Sequence, residues 1–340
     1  TKSGFGTPAA AIVIICEAGS VNNPSPNGSL SIGFWDGTSQ AAIGIACEDN
    51  AGTSNTSRAA SASAAIVRPQ TSGSGAFNAA YTISNITDGV RLTMSVDNTS
   101  ATRFATVVLF SGVSAKVVTF TPHGTQDSAQ ASASLGFAPK LIFALSHGNA
   151  SGTQGQTAIL SVGVADVNGA HRCAFFNSAD AAANEEATLR IREDRCIALE
   201  GDWGADATAW GADTVTLTTR DGAPGSDTAY VLALGGADLS YAIGTLTTPT
   251  STGDQSISSA VSLDALLLML TTATGTSLET GSGANGVMVG LADGSGQFAH
   301  NLSVEDGATT TNANSAASTA ALIDLASSSS VSRTDLIDAT

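Results

Sequence analysis

The chain has 340 residues, of which 42% are hydrophobic, only 5% aromatic and 12% charged, and 13 Lys and Arg stand against 29 Asp and Glu for a net charge of −16. Contact with nucleic acid needs clustered basic residues, so no nucleic-acid partner is expected. The longest apolar run, at Leu263–Leu270, is too short to span a bilayer and contains Asp264, so no membrane insertion is expected. The charged share is about half the usual one. Ser, Thr, Asn and Gly fill the polar positions, and β-branched residues abound, unlike in a disordered chain.

Taken in order, the chain opens on AAIVIIC at Ala10–Cys16, continuously apolar and read as a strand buried on both faces. SLSIGFWDG at Ser29–Gly37 alternates as a strand with one buried face and ends in an Asp–Gly turn, a hairpin signal. SNTSRAASASAAIV at Ser54–Val67 reads as a loop leading into a strand. GVRLTMSV (89–96), FATVVLFSG (104–112) and AKVVTFTPHG (115–124) are further strands.

At Phe137 the series begins again. KLIFAL (140–145) is followed by LSVGVADVNG (160–169), by the loop-and-strand stretch DAAANEEATLRIRED (180–194), and then by DTVTLTT, AYVLALGG and YAIGTLTTPT (213–219, 229–236, 241–250). A third series starts at Leu263 with LDALLLMLTTATG, VMVGLADGSG (287–296) and NANSAASTAALI (312–323), and stops at Thr340 before the later strands. One glycine recurs at Gly33, Gly163 and Gly290, an aspartate three residues on at Asp36, Asp166 and Asp293, and another acid at Asp49, Asp180 and Asp306. A mid-strand glycine kept at three equivalent places predicts a bulge or a close approach by another group. The aspartate after it predicts an Asx turn.

The expected fold is all-β: tandem β-sandwich or jelly-roll-like domains of about 130 residues, at 1–136 and 137–262, with an incomplete third copy at 263–340. The opening strand of each block should be core, with Ile12, Val13, Ile14, Leu141, Ile142, Phe143, Leu266, Leu267 and Leu268 buried. A cut-short sandwich leaves an unpaired edge. The expectation is that the chain continues past Thr340 or that a partner completes the block.

Candidate chemistry is sparse, and no catalytic residue, metal ligand or cofactor is expected. The four histidines (His123, His147, His171, His300) are scattered without ligand spacing. Cys16, Cys47, Cys173 and Cys196 are not equivalent between blocks and are expected as buried thiols, with a Cys16–Cys47 or Cys173–Cys196 bridge as the alternative. Trp203 and Trp210 stand among acids and glycines and are candidates for stacking on a glycan, against packing beneath a loop. The acid pairs Glu185/Glu186 and Asp202/Asp206 do not recur and are read as solvated.

The openings GFGTPAAAIVII and GFAPKLIFAL, each leading to the Gly–x–x–Asp phrase, in repeats low in charge, resemble structural proteins of tailed-bacteriophage virions, in particular decoration, fibre and tail proteins. That resemblance implies location in a virion, contact with other virion proteins or copies of itself, and a host surface glycan as a further candidate partner. The alternatives are a surface adhesin or appendage of tandem Ig-like domains, extracellular or at the cell surface, and a carbohydrate-binding or carbohydrate-active protein.

Overall fold

The computed structural model describes residues 6–70, 77–98, 103–121, 124–148, 154–184, 186–199, 203–221, 227–246, 259–262, 264–273, 279–280, 283–325 and 331–335. These contain strands and turns and no helix, and so none long and apolar enough to cross a membrane. In chain order the first block supplies β1 (Ala10–Cys16), β2 (Ser25–Pro26), β3 (Gly28–Trp35), β4 (Gln40–Cys47), β5 (Thr56–Ser61), β6 (Ile66–Pro69), β7 (Phe77–Ile86), β8 (Gly89–Asp97), β9 (Ala105–Phe110), β10 (Ser114–Phe120) and β11 (Ala129–Ala131). The second supplies β12 (Pro139–Ser146), β13 (Gln154–Gln156), β14 (Ala158–Asp166), β15 (His171–Ser178), β16 (Ala187–Arg192), β17 (Ile197–Ala198), β18 (Gly204–Trp210), β19 (Val215–Arg220) and β20 (Ala229–Gly235). The third supplies β21 (Ala265–Thr271), β22 (Glu279–Thr280), β23 (Gly283–Asp293), β24 (Gly296–Asp306), β25 (Ala313–Ser318), β26 (Leu322–Leu325) and β27 (Val331–Asp335).

The same antiparallel order of pairing occurs in each block. β1, β3, β4 and β5 form a meander, as do β12, β14, β15 and β16, and β21, β23, β24 and β25. The chain then crosses to a smaller outer sheet: β6–β7–β8, then β17–β18–β19 with β11 at its end, then β26–β27. In the first two blocks it returns, β9 lying beside β1 and β20 beside β12.

Side chains alternate between two cores. In β1, Ala10, Ile12, Ile14 and Cys16 enter a central cluster, while Ala11, Val13 and Ile15 face the outer sheet. In β14, Leu160, Val162 and Val164 are central and Ile159 and Ala165 face outward. Val287, Val289 and Leu291 of β23 join the same central cluster, and Met288 and Ala292 face β26. The three large sheets therefore share one core, and each is sandwiched between that core and its own outer sheet. SLSIGF was expected to have one buried face, yet β3 is buried along its whole length. Its small residues, Ser31 and Gly33, are what let a second layer sit close on the outer face.

The sheets also cross the expected boundaries at 136 and 262. β10 pairs with β20, and β11 with β19, so the end of the first block completes the second block's sheets. The loop strands are exchanged in a cycle: β2 of the first block pairs with β25 of the third, β13 of the second with β5 of the first, and β22 of the third with β16 of the second. A carboxylate accompanies each exchange. The backbone N–H of Thr56 donates to Asp180 (2.8 Å), that of Ala187 to Asp306 (2.8 Å) and that of Ala313 to Asp49 (3.1 Å). Each donor is the first residue of the fourth strand of a meander, and each acceptor belongs to a different block. The recurring acid thus ties the blocks together. Replacing Asp49, Asp180 or Asp306 by Ala should cost about 1.5–3 kcal/mol each, the range of a hydrogen bond to a charged group. Asn, which keeps an acceptor, should cost less. Urea unfolding of the six variants measures this, and equal losses for Ala and Asn would assign the effect to something other than the hydrogen bond.

Candidate functional site

The repeated phrase has one geometry in all three places. A Cβ added at Gly33 would lie 1.9 Å from the Ala65 carbonyl oxygen, at Gly163 2.0 Å from that of Cys196, and at Gly290 1.8 Å from that of Ala321. Each carbonyl immediately precedes the first strand of an outer sheet, so the glycine is the seat on which that sheet rests. Two residues before each glycine a side chain receives an N–H from the same strand: Val67 donates to Ser31 Oγ (3.2 Å), Ala198 to Ser161 Oγ (3.0 Å) and Ile323 to Met288 Sδ (2.9 Å). Gly33→Ala, Gly163→Ala and Gly290→Ala should each destabilise by more than about 2 kcal/mol, because a backbone carbonyl has little room to retreat. Gly89→Ala, with nothing within 4 Å of the added carbon, should be neutral or slightly stabilising. Denaturant midpoints of the four variants decide the matter.

The aspartates close their turns. Asp36 Oδ1 accepts from the N–H groups of Thr38 (2.9 Å) and Ser39 (2.6 Å), Asp166 Oδ1 from Asn168 (3.0 Å) and Ala170 (2.8 Å), and Asp293 Oδ1 from Ser295 (2.7 Å) and Gly296 (2.9 Å). Asp36 does more, since its Oδ2 accepts from the Val117 N–H of β10 at 2.8 Å. In the second block Asn168 Nδ2 lies 3.5 Å from Tyr241 Oη, so 241–246 approaches its hairpin as β10 approaches the first. Yet 241–246, matched to β10 by sequence, joins no sheet.

Trp203 is 1% exposed and packs between the second large sheet and its outer sheet, so its ring offers no face to a glycan. Trp210 is half-buried against the same cluster. The two therefore do not form a paired stacking platform. Asp206 is buried and paired with His171 and with Arg220 (3.1 Å), rather than solvated, while Asp202 and Glu185 lie outside the described residues and Glu186 is exposed.

Folding brings together one pair that spacing did not reveal. His300 Nδ1 stands 3.3 Å from Cys16 Sγ, with Thr106 Oγ1 2.7 Å from Nε2. The Cys16 thiol also donates to the Ala316 carbonyl (3.4 Å). Burial pushes the thiol up to about 12 and His300 down to about 4. Both shifts run away from the thiolate–imidazolium form that nucleophilic catalysis uses. All four cysteines are buried thiols, and none forms a disulfide. Glu17 pairs with Arg68 and Arg103 beside a polar cavity of about 90 Å³, lined also by Asn27, Ser29 and Asn78, well below the 300–1,000 Å³ of ligand sites. Among the described residues no group of three or more His, Cys, Asp or Glu is placed to hold a metal ion.

His147, like His300, is held neutral by burial, with its pKa lowered to about 3. The unfolded chain binds protons at these two positions below pH about 6.5 and the folded chain does not, so stability falls as pH drops from 6.5 toward 4. The His300 contribution alone is on the order of 3 kcal/mol at about 1.4 kcal/mol per pKa unit. His171 has the opposite sign, because its hydrogen bond to Asp206 raises its pKa, and that stabilisation is present below 6.5 and lost as pH rises through the raised value. Urea midpoints at pH 4, 5, 6 and 7 should fall on the acid side, and less steeply in His300→Gln. An unchanged acid limb in that variant would contradict the assignment.

The remaining feature of note is an apolar edge. β21 carries Leu266, Leu267, Leu268, Met269 and Leu270, as apolar as β1, but only Leu268 and Thr271 are buried. Leu266 and Leu267 were expected to be core and are only half-covered, because among the described residues no strand lies on the outer edge of β21. Phe143, also expected to be buried, is half-covered and packs against Phe110 (ring centroids 6.5 Å apart). No protein-family model, curated protein or solved structure matches the chain.

Proposed function

We propose that the chain is a non-enzymatic structural component of a tailed-phage virion, a decoration, fibre or tail protein, that assembles through its β-domains with other virion proteins or copies of itself. We read its three blocks as tandem copies of a sandwich unit of about 130 residues. The observation that supports this reading best is the cyclic exchange of β2, β13 and β22 between sheets around one core. Exchange of this kind turns three sandwiches into one stiff body, and it repeats within a chain the contacts by which separate β-domains join into closed assemblies. The excess of 29 acids over 13 bases keeps such a body soluble until it meets its partners. Particles purified through a density gradient and analysed by peptide mass spectrometry should contain the chain in constant ratio to the major particle protein, with gold-labelled antibody on the particle surface or tail. Recovery in the cell-envelope fraction instead would support a surface adhesin and overturn the virion reading.

A further inference from the structure

We propose that the outer edge of β21 is a strand-accepting slot, filled in the assembled state by an extended, apolar strand with a basic flank donated by another polypeptide. The other two blocks show what fits there. β9 lies antiparallel along β1, from Ala10 opposite Phe110 to Ile15 opposite Ala105. β20 lies antiparallel along β12, from Pro139 opposite Gly235 to Ser146 opposite Ala229.

Both of these strands are apolar on both faces. Val108 and Phe110 of β9 meet the central cluster while Val107 and Leu109 meet the outer one, and in β20 Leu232 and Leu234 are central while Val231 and Ala233 face outward. β21 offers the same two faces. Leu267 and Met269 lie against the central cluster, Leu266 and Leu270 against the outer one. A strand of β9 or β20 type laid on this edge would cover all four.

Three further observations support the slot. β21 has neither Lys nor Pro, the usual guards of an exposed edge. In the second sheet the order is β10, β20, β12, so a strand flanks the one beside β12. The segment matched to β10, 241–246, keeps Tyr241 and Ile243 against the central cluster but pairs with no strand. An occupant beside β21 would give both of them a ladder partner. Two exposed acids stand at one end of the slot, Asp264 just before β21 and Asp293 opposite Ala265, which sets a basic flank on the partner strand. Main-chain pairing would supply affinity, and the alternating apolar side chains specificity.

The test uses the full chain and a peptide with the sequence of Thr228–Gly235, TAYVLALG, flanked by two lysines at each end. Expected are saturable one-to-one binding to monomeric protein, new hydrogen-exchange protection confined to Ala265–Thr271 and 241–246, and binding about tenfold or more weaker for a scrambled peptide of the same composition. Leu267→Lys, which puts a charge on the half-covered edge, should abolish binding in protein whose circular dichroism shows that it still folds, and the milder Leu267→Ser should weaken binding with a smaller loss of stability. The idea is overturned if both peptides bind equally or neither binds. It is overturned too if the β21 amides that point away from β23 are already protected in the free monomer, which would mean that the chain covers its own edge. A stable dimer that the peptide leaves intact would mean that two β21 edges pair with each other, and it also counts against the slot. None of these results depends on whether the chain resides in a virion.

Discussion

One apolar cluster shared by three sheets governs the rest of this fold. Ile14, Ile43 and Leu30 from the first block, Leu145, Leu160 and Leu232 from the second, and Val287, Val289 and Leu302 from the third are all buried in it. A sheet with one face in a common core and the other under a second layer must cover both faces, which is why strands such as β1 and β20 are unbroken apolar runs. With so few aromatic residues, the space is filled by branched aliphatic side chains at close packing. The outer layer can approach closely only where the inner strand lacks bulk. Gly33, Gly163 and Gly290 provide that gap, and a carbonyl fills each.

Closing three units around one core leaves edge groups to be satisfied, and here the low charge and the wealth of hydroxyls are explained together. Ser315 Oγ accepts from the Ser29 N–H (2.7 Å) and donates to the Ser29 carbonyl (3.2 Å). Thr56 Oγ1 accepts from the Ala158 N–H (3.2 Å) and donates to the Ser178 carbonyl (3.0 Å). A hydroxyl can do both at once without the desolvation cost of a buried charge. Where a carboxylate is used, at Asp49, Asp180 and Asp306, it lies half-buried at the rim and meets backbone N–H donors.

The third unit obeys the same rules with fewer strands described. Its meander, its seat glycine and its turn aspartate are in place, and its opening strand is the one whose leucines remain half-covered. The contrast between β1, buried throughout, and β21 comes from the neighbour on one side and not from the strand's own composition. It is on this contrast that the proposed strand-accepting edge rests.

Much of this was legible in the residues alone. Strand character, the hairpins at Asp36, Asp166 and Asp293, the close approach at the glycines and the burial of β1 follow from period, turn chemistry and the cost of glycine within a strand, all local properties. The role of Asp49, Asp180 and Asp306 was not legible, although their recurrence was, because each acts on a strand of another block. The burial of Trp203, the pairing of His300 with Cys16, and the crossing of β2, β10, β13 and β22 between blocks were equally out of reach. Each depends on which surfaces meet when three sheets close on one core, and that choice is made by long-range packing. A strand's sequence specifies that both of its faces must be covered; only the tertiary structure decides by what.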